Sequence, residues 1–426
     1  MHIINSTRIG DMTMDVAYWF VHKSQSSLFV FKFCFIIYKL FISIFGMRIL
    51  PIITIKDYSE IKKNIGRRVV KTNRKGLSIC SSSPFDDEPP IFQKDLSDLF
   101  ETHFHDVLIS GGSDVIIDDA YKWIISDFCV NKSNNIFCSD SLLFREKNNW
   151  GLLRKNISES PQVIESGILI SGKYPNNYYH CLFENLNRCM LIDDAIISKD
   201  VPVLVDKVIT SIPSLEKLVS FLIQGSQRAI IPIEAGVMYH CNNLYYIDHL
   251  NFIIPHHRKL SVSPDERSYY DSDLLRFQRN ILLNHRERSS LPTRIFITRV
   301  NSASRHYNEE EVFGVLKVFG FKKVAPEVLT FEEQIQLFYN AEYIIGGTGA
   351  AFSNILFCQP KCKILCFRPV HSKDGTPLFK TIAKINGCDF WHYKPDKIYK
   401  DSAHSNYYIS PSKLKSTLTR LWGMNN

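Results

Sequence analysis

Several features that would place a sequence quickly are scarce in this one. Its eleven cysteines are an odd number, and no two form a Cys-x-x-Cys pair. That excludes the usual zinc frameworks, and the scattered count favours reduced thiols in a cytosolic compartment over a disulfide scaffold. Cys362 and Cys366 straddle a strand-like run and read as core residues. Basic residues are nowhere interleaved with aromatics in a block, so nucleic acid is not the expected partner. The one Asp-x-Asp, Asp271-Ser-Asp273, lies in a polar connecting region, and His256-His257 has no third ligand at a usable spacing. No metal and no resident cofactor are therefore expected.

Long uncharged apolar runs are missing too. The strongest run, residues 27–46, carries Lys32 and Lys39 in mid-stretch. Each lysine would cost about 2.5–3.5 kcal/mol at the centre of a spanning helix. Seven positions apart, they share one helix face, which suits a helix lying in a membrane interface with its amines reaching the headgroups. A spanning helix and a buried N-terminal helix are the rival readings. The run begins too late for a signal peptide, and no small-residue cleavage site follows it.

What is present has the make-up of a folded protein. Of the 426 residues 45% are hydrophobic and 22% charged, which suits two domains plus an extension and not a disordered chain. A net charge of +8 favours anionic partners such as nucleotide-sugars, acidic glycans or anionic lipid. Residues 51–98 are polar and broken by Ser81-Ser-Ser-Pro and Asp86-Asp-Glu-Pro-Pro, and read as a linker or surface segment.

The most informative stretch runs from Arg294 to Pro369. Arg294-Ile-Phe-Ile is a strand-like run, and Asn308 before Glu309-Glu310-Glu311 reads as the N-cap of a helix with an acidic first turn. Phe321–Val324 is a second strand, and Thr330 with Glu333 forms a capping box for a second helix. Tyr343-Ile-Ile runs into Gly346-Gly-Thr-Gly-Ala350, and Lys363–Phe367 is a fourth strand. Alternating strands and helices predict a parallel sheet, whose ligands bind at the carboxyl edge, where Arg299 and the glycines would meet. The turn matches neither G-x-G-x-x-G nor a phosphate loop with lysine. It suits an anion held by backbone amides and the Thr348 hydroxyl, or equally a bare strand-to-helix turn. Arg299 and Arg305 follow the first strand, where cations can meet a diphosphate; Arg368 ends the fourth strand and is a weaker candidate.

From residue 99 to 255 short apolar runs alternate with helical patterns. A helix over 178–192 would place His180, Glu184 and Arg188 along one wall. His180 or Glu184 could act as a general base, with Arg188 orienting Glu184 or binding phosphate. A Glu184–Arg188 ion pair on a solvated face is the simpler alternative.

Three blocks together resemble glycosyltransferase family 61, which includes capsular polysaccharide enzymes and eukaryotic xylosyl- and N-acetylglucosaminyltransferases. The first is Asn177-Tyr-Tyr-His-Cys-Leu-Phe-Glu-Asn-Leu-Asn-Arg188, with Cys181 where tryptophan is usual. The second is Ile297-Thr-Arg299 with Arg305 and Asn308-Glu-Glu310. The third is Ile345-Gly-Gly-Thr-Gly-Ala-Ala-Phe-Ser-Asn354-Ile-Leu-Phe, with Thr348 where many members have histidine. The resemblance implies two Rossmann-like α/β domains facing a cleft, the GT-B arrangement, and an inverting transfer from a nucleotide-sugar to a glycan or glycolipid acceptor. It implies donor-binding roles for Arg299, Arg305, Asn308, Glu309, Gly347, Thr348, Gly349, Ala350 and Asn354, catalytic roles for His180 and Glu184, and support from Arg188 and Arg368. Domains are expected at 99–255 (acceptor side) and 294–405 (donor side), joined through 256–293 and closed by a helix in 406–426. GT-B transferases often return that last helix to the first domain. A cytoplasmic enzyme peripheral to the membrane is expected; a lumenal type II enzyme, permitted by sequons at Asn131 and Asn156, is the alternative.

Overall fold

A computed structural model describes residues 48–79, 89–126, 142–147, 150–153, 160–223, 227–251, 268–284, 286–299, 302, 304–369, 378–400 and 405–424. The apolar run 27–46, the His256-His257 pair and both sequons lie outside these residues. Among the described residues no helix is long and apolar enough to cross a membrane.

The N-terminal half is built on an eleven-stranded mixed sheet. Its strands include β1 (Leu99–Ile109), β2 (Gln162–Ile170), β3 (Val203–Asp206), β4 (Ile230–Ile233) and β5 (Tyr239–Ile247). β4, β3, β2 and β5 lie side by side in that order, all parallel. Counted along the chain from β2, this is the doubly wound order 3-2-1-4. Ile168, Leu169 and Ile170 are wholly buried, as expected of a parallel strand covered on both faces. β1 then pairs antiparallel with β5 and carries the sheet on into further antiparallel strands. The helix α1 (Pro213–Ile223) crosses from β3 towards β4 and buries Leu215, Leu218, Val219 and Leu222.

Residues 51–98 are not the linker that their polarity suggested. Arg48–Ile53 is a strand of the large sheet, and Gly66–Lys71 pairs with β1. Arg74–Ile79 lies between Ile91–Leu96 and Tyr270–Asp271 in a small separate sheet. The misreading has a physical cause: Gly66–Lys71 and Ile91–Leu96 leave most of their length exposed, so their polar residues mask the alternation. Asp271, from the lone Asp-x-Asp, is buried, caps α2 (Ser272–Leu283) and pairs with the buried Arg74 at 2.8 Å. It is structural.

The C-terminal half holds a five-stranded sheet in which every neighbouring pair is parallel. Its strands are β6 (Arg294–Ile297), β7 (Lys322–Val324), β8 (Tyr343–Gly347), β9 (Lys363–Phe367) and β10 (Asp389–Tyr393), in the order β7-β6-β8-β9-β10. That is 2-1-3-4-5, with the switch point between β6 and β8. Helices α3 (Glu309–Val318), α4 (Phe331–Asn340) and α5 (Leu378–Ile385) make or follow the crossovers. Thr330 caps α4 in a full capping box with Glu333.

One apolar core runs through both halves, from Ile168 and Val203 to Phe352 and Ile364. The closing helix α6 (Pro411–Trp422) does not return to the first half. It lies in the core with Val312 and Leu316 of α3, and its Trp422 ring lies 5.2 Å from Tyr343 and 6.2 Å from Trp391.

Candidate active site

The carboxyl ends of β6 and β8 meet at the C-terminal switch point. β8 ends in Gly346-Gly347, and Gly349 leads into a 3-10 helix, Ala350–Phe357, whose opening amides have no acceptor within the helix. The glycines are needed here for space. A Cβ on Gly349 would stand 2.2 Å from Arg299 Nη1, and one on Gly347 would stand 2.6 Å from both Arg299 Cδ and Tyr407 Oη. Gly349 has φ 173°, an extended conformation open to any residue, so the close approach of Arg299 is what excludes a side chain.

Arg299 Nη1 donates to the Thr348 carbonyl at 2.9 Å, and Arg305 Nη1 donates to the same oxygen at 3.0 Å. Arg299 also reaches Ser302 Oγ and the Ser304 carbonyl. Two guanidinium groups thus converge on one turn. Burial, and then the charge of Arg299, lower the Arg305 pKa, although a guanidinium keeps its proton. Arg305 has φ 63°, a left-handed conformation costing a residue with a Cβ about 1–2 kcal/mol. Such strain persists only where surrounding contacts fix it, and it collects at binding sites. Arg368 follows β9 at the same sheet edge, with Nη1 3.5 Å from His392 Nε2. The Tyr307 and Tyr407 hydroxyls beside the arginines are buried, with no hydrogen-bond partner among the described residues.

Other expected donor residues do different work. Glu309 accepts from the Thr298 hydroxyl and, at 2.9 Å, from the Arg299 amide, so it shapes the loop that carries Arg299. Asn308 occupies the N-cap position of α3, but its side chain makes no capping bond. Its amide is spent on the Ile409 backbone, giving to the carbonyl at 2.9 Å and accepting from the N–H at 3.0 Å. Asn354 is fully buried, bonded to Gln334 Oε1 at 3.0 Å and to the Tyr178 hydroxyl at 2.7 Å. The Thr348 amide is used on the Phe367 carbonyl and its side chain meets that of Cys366, which leaves the Ala350 and Ala351 amides as donors of the turn.

The segment carrying His180 and Glu184 is not a uniform helix. Tyr178–His180 is α-helical, Cys181–Asn185 is a π-helical turn closed by the Leu186 amide on the Cys181 carbonyl, and Leu186–Leu191 is 3-10. Its carbonyls bond to side chains instead. Leu182 O accepts from Gln278 at 2.7 Å, Phe183 O from Asn187 and Asn251 at 2.7 and 2.8 Å, and Glu184 O from His249 Nδ1 at 3.0 Å. Wide turns of this kind concentrate at functional sites. Here the turn sets Glu184 Oε2 2.8 Å from His180 Nδ1, both groups partly exposed, while Glu184 Oε1 is buried without a partner among the described residues. Because a carboxylate only accepts, His180 Nδ1 carries the proton and Nε2 its lone pair.

Arg188 does not line this wall. It is wholly buried, and its guanidinium goes to the carbonyls of Asn185, Ser171 and Ile247 at 3.2, 2.6 and 3.3 Å. The broken helix turns it inward, away from the Glu184 carboxylate, so neither the ion pair nor the orienting role is seen.

The structure adds residues that the sequence reading missed. β2 and β5 meet at the switch point of the N-terminal parallel strands, and their carboxyl ends lead to Ser171-Gly172 and Asp248-His249. His249 Nε2 faces the buried Asp114 at 3.2 Å. Burial pushes the Asp114 carboxyl up, but Lys173 and His249 more than offset this and hold it below the ordinary carboxylate range. Burial and the Arg188 charge lower the His249 pKa against the pull of Asp114. Asp206, at the end of β3, accepts from Ser171 Oγ at 2.6 Å and from the Gly112 and Gly172 amides, yet burial prevails and raises its pKa to about 6. It lines a cavity of about 250 Å³ with Gly112, Pro175 and Glu234. A sequence signal existed, since Asp114, Asp206 and His249 each directly end or closely follow a strand-like run.

The two halves of the site rest on touching elements, because Tyr178 bonds to Asn354 of the helix that issues from the glycine turn. No direct hydrogen bond or ion pair joins His180 or Glu184 to Arg299 among the described residues. Two doubly wound strand groups, with paired arginines at one switch point and a carboxylate–imidazole pair at the other, have the layout of an α/β enzyme acting on an anionic substrate. Residues 178–365 match the family model described as Glycosyltransferase 61, which supports glycosyltransferase activity. No curated protein matches the chain.

Proposed function

We propose that the protein transfers a sugar from a nucleotide-sugar donor to a hydroxyl of a glycan or glycolipid with inversion, in surface or capsular polysaccharide synthesis. The observation that carries this is the convergence of Arg299 and Arg305 on the Thr348 carbonyl beside the opening amides of Ala350–Phe357. Fixed cations and dipoles at that point neutralise the charge that grows on a departing diphosphate. The acceptor oxygen attacks the anomeric carbon as the bond from that carbon to the diphosphate oxygen breaks. The Glu184–His180 pair takes the acceptor proton. Glu184 or His180 Nε2 is the receiving atom, and the hydrogen bond between them lets either share the charge. In this reading Arg299 and Arg305 supply the neutralisation, and no metal is required.

The arrangement we infer is GT-B-like, with the donor on the 2-1-3-4-5 sheet and the acceptor on the side of the 3-2-1-4 strands. Peripheral membrane attachment through residues 27–46 at the cytoplasmic face is part of the proposal, a lumenal type II enzyme being the alternative. A phosphatase using the same anion turn would need a nucleophile at its centre. The nearby Cys366 is a poor one, its thiol pushed up to about 12 by burial.

The test is thermal-shift binding of UDP-, GDP-, CMP- and dTDP-sugars to the full chain, with EDTA present. One nucleotide class should raise the melting temperature of the wild type and not of Arg299→Ala. If no nucleotide-sugar shifts it, with or without divalent metal, the donor site fails, and a catalytically silent scaffold becomes the better account.

A further inference from the structure

We propose that Asp114 and His249 form a positioning pair that holds Glu184 against His180. The proposal rests on reading the Glu184–His180 pair as the base, and it adds residues that lie outside the first motif block. His249 follows β5, and Asp114 lies on the Gly111-Gly112-Ser113-Asp114 turn after β1. These strands are antiparallel neighbours, and the register Tyr239↔Ile109 shows that the end of β1 lies beside the start of β5. The turn is anchored at the carboxyl ends of β3 and β4, where Gly111 pairs with Ala235 and the Gly112 amide donates to Asp206 Oδ1.

The imidazole lies between two acceptors. Nδ1 donates to the Glu184 carbonyl at 3.0 Å, and Nε2 faces Asp114 Oδ2 at 3.2 Å, with the side chains of both residues more than nine-tenths buried. A carbonyl released from a helical ladder in the interior must find another donor, or its peptide turns to find one. For Glu184 that rotation carries the side chain away from the position in which Oε2 meets His180 Nδ1. Gln278, Asn187 and Asn251 hold the two preceding carbonyls, but only His249 holds that of Glu184 itself among the described residues. Asp114 can accept from Nε2 only in the doubly protonated ring, because the Nδ1–H is spent on the Glu184 carbonyl; in that state it holds the ring plane.

A positioning role differs from simple satisfaction of a buried carbonyl in what it does to His180. The readout is the ring tautomer of His180, followed by nitrogen NMR on the full chain carrying labelled histidine. In the wild type Glu184 holds the Nδ1–H form. Glu184→Ala should release it, and His249→Leu should give the same His180 spectrum in a folded protein. His249→Asn, whose amide places an N–H where Nδ1 stands, should restore the wild-type signal. If His249→Leu does not fold, Asp114→Asn serves, and it should shift the same signal part of the way. Persistence of the Nδ1–H form in folded His249→Leu, or in Asp114→Asn where that is the variant available, overturns the proposal.

Turnover of the stabilising nucleotide-sugar separates this from the parent reading. His249→Leu should lower kcat by about 10- to 100-fold with little change in donor KM, as a small misplacement of a catalytic group does. Full turnover in Glu184→Ala alongside the tautomer change would sink the base assignment and leave the positioning intact. A dead Glu184→Ala with an unmoved tautomer in His249→Leu would do the reverse.

Discussion

Tyr178 donates its hydroxyl to Asn354 Oδ1 at 2.7 Å across 176 positions of chain. Two of the motif blocks that carry the family resemblance thus meet in space. Asn354 completes its bonding through Gln334 at 3.0 Å, so the amide is a rivet between the His180 segment and the glycine-turn helix. Both ends of its side chain are used in holding these segments together.

That rivet can be measured by a double-mutant cycle in urea unfolding. Asn354→Ala leaves the Tyr178 hydroxyl and the Gln334 amide without their partner and should cost about 2–6 kcal/mol, counting about 1–3 for each orphaned group. Tyr178→Phe should cost less. The pair should show a coupling of about 0.5–3 kcal/mol. Additive losses would mean that the two blocks are held together by other contacts.

Gly349→Ala should abolish donor binding while leaving the fold stable. The new Cβ would lie 2.2 Å from Arg299 Nη1, the end of a flexible side chain, so the guanidinium swings away and the backbone stays. We expect unfolding free energy to change by about 1 kcal/mol or less, and nucleotide-sugar stabilisation to vanish as in Arg299→Ala. Retained binding would show that the arginine does not hold the donor from its observed position.

Local rules made much of this legible. The Thr330–Glu333 capping box, the strands β6, β8 and β9, and the glycine turn at the sheet's carboxyl edge are all where spacing puts them, because each is set by neighbours in sequence. Asn308 misled because a capping position does not guarantee a capping bond, and the Ile409 backbone, a hundred residues on, competes for its amide. Arg188 misled because a π turn changes which face the later residues occupy, and apolar periodicity does not register one extra residue. Asp114 and His249 were missed because they lie far apart in the chain and only the tertiary fold brings them together.

Arg188 should prove a folding residue. Its guanidinium satisfies carbonyls from Asn185, Ser171 and Ile247, and its plane lies 5.3 Å from the Tyr246 ring. Arg188→Met should cost about 3 kcal/mol or more in urea unfolding, since it strands those carbonyls. Arg188→Lys should recover little, because an ammonium lacks the planar fork that reaches several acceptors. A stable Arg188→Met that had lost only turnover would return the residue to the catalytic wall.

Asp206 gives a pH dependence whose sign follows from its burial. Its carboxyl is raised from its ordinary 3.8 to about 6, so the folded protein holds this proton more tightly than the unfolded chain does. The resulting contribution to stability is complete below about pH 4 and is lost as pH rises through about 6. A shift of that size corresponds to about 3 kcal/mol. Asp206→Asn cannot ionise, so it should remove this part of the slope, and the stability difference between variant and wild type should change by about that amount between pH 4 and pH 7. The amide has one acceptor oxygen for the Ser171, Gly112 and Gly172 donors, so the variant should start from a lower baseline at acid pH. Urea unfolding at half-unit pH steps separates the two effects, because the baseline loss is constant while the ionisation loss has a midpoint near 6. Parallel curves for wild type and Asp206→Asn would mean that those donors keep the carboxylate charged in the fold, and that hydrogen bonding outweighs burial at this strand end.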